Sequence, residues 1–181
     1  MISIKDSNEL NKIIRTQLIT QSQIPGKKIL NALEVYGQNL NKNASQSIFD
    51  SYSPSETVIV FELLSRPSNS DVSYTEEVDE NIIYYKAYEL KLYIYGKEST
   101  DVANNIVARF RTQLCRETLL ENGVYLEKIE EPDKINEFIN NVLWIRNDVS
   151  ILINCKFTIS QIKTDASFET LNELKNTKEE N

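Results

Sequence analysis

The chain has 181 residues, 40% hydrophobic and 9% aromatic, enough to fill the core of one domain and too many for a wholly disordered chain. Its 20 Lys and Arg against 27 Asp and Glu give a formal charge of −7, the wrong sign for a general nucleic-acid binder, which displaces phosphate counterions with a basic face. Histidine is absent, which removes Ser–His and Cys–His nucleophile pairs, imidazole-bound zinc and the usual neutral-pH proton shuttle. Cys115 and Cys155 are too few for a four-ligand thiolate site and form no CxxC, so both read as small buried apolar residues, with a disulfide between them as the alternative. The opening MISIKDSNELNKI lacks the basic segment and apolar run of a secretory signal, and no window approaches the ~20 apolar residues that span a bilayer. The expectation is a soluble protein made in a cytoplasm, with no membrane contact.

In chain order, Asp6 and Glu9 form an N-terminal capping pair, and Leu10, Ile13, Ile14 and Leu18 follow at helical spacing, predicting a helix over 7–19. Ile24-Pro25-Gly26 breaks the chain. A short helix is expected over Lys28–Tyr36, with Ile29, Leu30, Leu33 and Tyr36 inward, and the Asn- and Ser-rich stretch 39–55 reads as a surface excursion. TVIVFELL, from Thr57, is an apolar β-branched run ended by Arg66-Pro67, and NIIYYKAYELKLYIYG is a second strand with Leu90, Leu92 and Ile94 on one face. The two make an antiparallel hairpin through an acidic connection. About 15 extended residues reach roughly 50 Å, beyond the ~15 Å radius of such a domain, so the strand bends near Lys86 or the hairpin projects.

Ser99 or Thr100 is expected to cap a long second helix over 100–121, with Val102, Ala103, Ile106, Val107, Phe110 and Leu114 inward and Gly123 as the C-terminal cap. VYLEKIE (124–130) reads as a short strand and 133–145 as a helical turn or irregular edge. From Asp148 a long half-buried strand alternates Val149, Ile151, Ile153, Cys155, Phe157 and Ile159 with polar residues. The resulting expectation is an α+β fold: a largely antiparallel four-stranded sheet, two main helices packed on one face, and a long projecting β-hairpin. Residues 1–162 form one domain, and 163–181 a polar C-terminal tail in which Phe168, Leu171 and Leu174 support a short helix.

Chemistry-bearing motifs are few. No GxGxxG or GxxxxGK[ST] occurs. Glu76, Glu77, Asp79 and Glu80 could offer oxygens to a hard cation but lack the glycine pivot of an EF-hand, and read as a solvated hairpin tip. Arg109, Arg111 and Arg116 give the second helix a cationic outer side, suited to solvent or a subunit contact. Tyr84, Tyr85, Tyr88, Tyr93 and Tyr95 put aromatic residues on both faces of one strand, for which core packing and interface burial both remain open.

Taken together, VIVFELLSRP, then YELKLYIYGKESTDVANNIVARF with its aromatic–Gly pair and amphipathic helix, then WIRNDVSILINCKFTIS with Arg146 just before the final alternating strand, resemble the neck or tail terminator proteins of tailed bacteriophages and phage-tail-like bacteriocins. The resemblance covers roughly 57–162, and the N-terminal helix fits the family in place. It implies a non-enzymatic virion protein without cofactor, assembled in the bacterial cytoplasm. Such proteins form a homohexameric ring that caps the tail tube, stops its polymerisation and presents a platform for head–tail joining, with tail tube protein, sheath protein of a contractile tail and head-completion proteins as partners. The tyrosines, Arg146 and the strands 57–64 and 82–95 are then the subunit and tube contacts. Glu76, Glu77, Asp79 and Glu80 become a channel-facing loop that repels the DNA passing without specific binding. Two other classes stand beside this one: a different head–tail connector or tube-associated adaptor, and a small cytoplasmic ligand-binding or enzymatic α+β domain.

Overall fold

Period-two patterning over the last third of the chain has a direct structural consequence. In a computed structural model, which describes residues 3–32, 51–66, 75–78, 81–139 and 141–160, it becomes a 19-residue strand that most of the sheet is built against. The strands are β1 (Ile29–Asn31), β2 (Val58–Ser65), β3 (Thr75–Val78), β4 (Asn81–Tyr95), β5 (Val124–Ile129), β6 (Asp133–Ile139) and β7 (Val142–Ser160). Among the described residues they form one sheet in the order β1-β2-β4-β7-β5, with β3 also beside β4 and β6 also beside β7. All pairings are antiparallel except β1 with β2.

β4 and β7 pair without interruption from Asn81–Ser160 to Tyr95–Arg146. On the other side of β4, β2 takes Tyr88–Tyr95 and β3 takes Asn81–Tyr84. The far side of β7 is shared in turn by β6, β5 and a parallel bridge from Ile4 to Phe157. A shift in register between Leu126 and Lys128 lets β5 follow the twisting spine.

Among the described residues, three helices cover one face: α1 (Ser7–Ser22), α2 (Ser99–Phe110) and α3 (Gln113–Glu121). Asp6 caps α1 by accepting from the Glu9 amide at 2.8 Å, while Glu9 Oε2 accepts from the Lys5 amide at 2.7 Å. Leu10, Ile14 and Leu18 of α1, Val102, Ala103, Ile106, Val107 and Phe110 of α2, and Cys115 and Leu119 of α3 meet Ile59, Phe61, Leu90, Leu92, Ile94, Val149, Ile151 and Ile153 in the main core. The opposite face carries a small second cluster, Ala32, Val60, Tyr95 and Trp144.

The α+β class and the helix-covered face agree with the sequence reading, but several details change. The sheet has seven strands among the described residues rather than four; it is largely antiparallel as expected, and the pairing of β1 with β2 makes it mixed. Lys28–Tyr36 does not begin as a helix: Gly26–Lys28 is one 3-10 turn and Ile29–Asn31 pairs in parallel with β2, while Leu33 and Tyr36 lie outside the described residues. β4 neither breaks nor stands free near Lys86, because β7 matches it residue for residue, and the connection from β2 contributes β3 to its edge. The projecting element is instead the β6–β7 ribbon, where 133–145 forms paired strands rather than a turn or irregular edge.

The helix expected over 100–121 is two helices. Thr112 adopts extended geometry (φ −66°, ψ 148°), its hydroxyl accepts from the Cys115 amide and donates to the Arg109 carbonyl, and α3 restarts with Cys115 and Leu119 inward. Leu114 is consequently 75% exposed instead of buried. Ser99 does not cap α2; it is the first helical residue, buried, and its hydroxyl accepts from Asn147 Nδ2 at 2.9 Å. Both thiols are buried and free, and burial pushes the Cys155 thiol up to about 12. The expected surface excursion lies largely, and the tail helix wholly, outside the described residues.

Candidate assembly interface

Alternation along β4 sends its tyrosines to two different environments. Tyr88 is buried in the main core and Tyr95 in the small cluster, edge-on to Trp144 with centroids 6.2 Å apart. Tyr84 stacks on Phe157 at 5.3 Å. Tyr85 is 37% exposed and leans on Tyr125, and Tyr93 is half-buried with its hydroxyl 3.5 Å from Glu62 Oε2. Burial first, then the Glu62 and Asp148 carboxylates, raises the Tyr93 phenol above its ordinary range. Most of the tyrosine surface thus already packs within the chain, and Tyr85 is the most open of the five.

Arg146 sits on the helix-free face, opposite Tyr95 on β4 and Ile135 on β6. It donates from Nε and Nη2 to the two Asp148 oxygens at 2.8 and 3.1 Å, and from Nη1 to Glu137 at 2.6 Å. Its guanidinium lies over the rings of Tyr93 and Tyr95 at 5.6 and 5.9 Å. Burial opposes the charge, but hydrogen bonding to Asp148 and the neighbouring Tyr95 outweigh it and hold the group protonated. Further along the same face, Glu89 accepts from Lys91 at 2.7 Å and from the Ser150 hydroxyl, which keep its carboxyl below the ordinary range. An open groove of about 370 Å³ is lined mostly by charged and polar residues, among them Lys91, Asp133, Arg146 and Asp148, unlike the mainly apolar concavities that hold small molecules.

The structure places Glu76 and Glu77 in β3, opposite Ile83 and Ile82; Asp79 and Glu80 lie outside the described residues. Of the cationic trio, Arg111 is engaged by Glu131 at 2.7 Å and the Ile129 carbonyl, while Arg109 and Arg116 are exposed.

The most open apolar surface on the sheet was not singled out from the sequence. Beyond Tyr95, β4 ends and β7 continues with β6 alone. At the tip of that ribbon Phe138 is 74% exposed, Leu143 49% and Val142 45%, next to Asn141 with φ of 62°. Ribbons of two strands are marginal in water unless something covers them, and the outer edge of β6 pairs with no strand among the described residues. The Asn140-Asn141 dipeptide between apolar residues was the available signal for a tight turn.

A search of curated proteins finds no match to the chain. Against protein families, the sequence matches phage neck terminator proteins over residues 33–179, which takes in β2 to β7 with α2 and α3 and begins just after β1. That span includes all the elements carrying the exposed ribbon, the Arg146 cluster and the tyrosine strand, and the chain belongs to the phage neck terminator proteins, structural components of the phage neck.

Proposed function

We propose that this neck protein assembles into a closed homohexameric ring that caps the tail tube, ends its growth and gives head-completion proteins their platform. The β6–β7 ribbon carries the reading: an apolar tip at one extremity of a sheet is suited to a heterologous contact, in which a projection of one subunit meets a different patch on the next and the rotation closes. Tyr85, Tyr93 and the outer strand edges supply further contact area toward neighbouring subunits and the tube. Tail tube protein, and sheath protein where the tail contracts, are the partners on one side. The role is structural, with no bond made or broken.

The formal charge of −7 fits a ring through which DNA slides without being held, since an acidic wall repels phosphate. Glu76, Glu77, Asp79 and Glu80 are the residues assigned to that wall. Native mass spectrometry of the full chain with and without tube protein, paired with electron microscopy of tube ends, tests the proposal. Six-fold rings at tube ends, and tubes that stop growing when the protein is added, are expected. Tubes that elongate unchanged, with ends left bare, overturn it.

A further inference from the structure

We propose that Arg146 is a positioning residue, a latch that holds the β6–β7 ribbon in line with the sheet. The ribbon needs one. From Val142 to Ile145, β7 is paired on one side only, with β6, and the sole backbone bond from the other side is Gly96 N–H to the Ile145 carbonyl at 2.9 Å, among the described residues. Its direction is therefore decided at the base, where Arg146 is the last residue of β7 that still faces β4.

One side chain there ties three strands together. The fork of Nε and Nη2 locks onto Asp148 of its own strand, which fixes the guanidinium plane. Nη1 reaches Glu137 of β6, two residues nearer the tip than the Ile135 directly opposite. The cation rests against Tyr93 and Tyr95 of β4. Trp144, edge-on to Tyr95, is the second anchor, and Asn147 hydrogen-bonds Ser99 and Thr100 on the opposite face.

Exposure separates a latch from a general stabiliser. Glu137 is 38% exposed, Asp148 25% and Arg146 19%, so water screens the cluster in part and its pairing adds less to global stability than a fully buried one would. The same bonds act on a ribbon whose strands pair along one edge only, and local opening is where their loss is felt most. Lysine could keep the charge but not the planar fork that serves both carboxylates.

Amide hydrogen exchange on the full chain tests the assignment without any partner, and so independently of whether the protein forms rings. In Arg146→Met, amides of 134–139 and 142–145 should exchange about tenfold faster, while those of Leu90, Leu92, Ile151 and Ile153 change less than about threefold. Glu137→Ala removes only the β6 bond, and should produce a smaller acceleration confined to the same ribbon; it decides the matter should the Met variant fail to fold. Acceleration spread evenly over the sheet would make Arg146 an ordinary contributor to stability, and an unchanged ribbon would leave it no role as a latch. Either result overturns the proposal.

Discussion

Phe138→Thr separates what the ribbon tip does for the fold from what it does for assembly. Phe138 is 74% exposed, so only about a quarter of its side chain is already buried. A phenylalanine can bury roughly 200 Å². The buried quarter, about 50 Å² at ~25 cal/mol per Å², is worth about 1 kcal/mol to the isolated chain. The remaining surface, about 150 Å², would contribute about 4 kcal/mol once a neighbouring subunit covers it, a factor of about 700 in association. Threonine, being β-branched, favours a strand as phenylalanine does, so backbone pairing with Leu143 should persist. Thermal unfolding followed by circular dichroism should show a fall of about 3 °C for a chain of this size. Titration onto tube ends should show the large loss. Wild-type assembly in the variant would mean that the tip stays in water within the ring. A fall of more than about 10 °C would mean that Phe138 belongs to the core, and the exposure argument fails.

Other expectations follow from local geometry. Gly96 has φ of 115°, and a Cβ there would run into the Glu56 carbonyl, so Gly96→Ala should cost about 3 kcal/mol in urea denaturation and break the turn that leads β4 into α2. Asn147→Ala removes the buried amide that donates to Ser99 and Thr100, at a cost of about 2 kcal/mol read from the same midpoints. Glu89, ordinarily titrating near 4.5, is held lower first by its hydrogen bond from Lys91 and then by that from Ser150. A depressed carboxyl contributes stability that is complete above its unfolded value and lost as pH falls through the folded one. Glu89→Gln should therefore be less stable at pH 7 and lose less on acidification below about pH 4.5, and parallel acid limbs for the two proteins would contradict the assignment.

The elements legible in the sequence were those whose pattern is local. Asp6 with Glu9 marked the start of α1, and the Leu90–Ile94 and Val149–Phe157 alternations marked the two central strands, because each periodicity is imposed by one buried face. β1 was invisible for the opposite reason: three residues carry no periodicity, and their parallel pairing with β2 is a long-range event. In β6, Ile135, Phe138 and Ile139 have helical spacing, yet the chain pairs as a strand with β7. The break at Thr112 hid within a continuous apolar stripe, although a threonine three residues before Cys115 is itself a capping signal. At the candidate site, composition revealed the tyrosines but not their directions. Tyr88 and Tyr95 turned out to be interior residues, and Arg146 an internal tie, while the tip of the ribbon, with fewer aromatic residues, was passed over.

The order in which the strands leave the ribosome adds a temporal side to the architecture. β7 emerges after every other described strand, yet β4, β5, β6 and the segment at Ile4 all wait for it as a partner. Contacts spanning nearly the whole polypeptide delay cooperative folding until translation has passed residue 160. A nascent or prematurely truncated chain would then expose the edges of β4 and β5 without presenting a finished ribbon, and quality control rather than the growing particle would receive it.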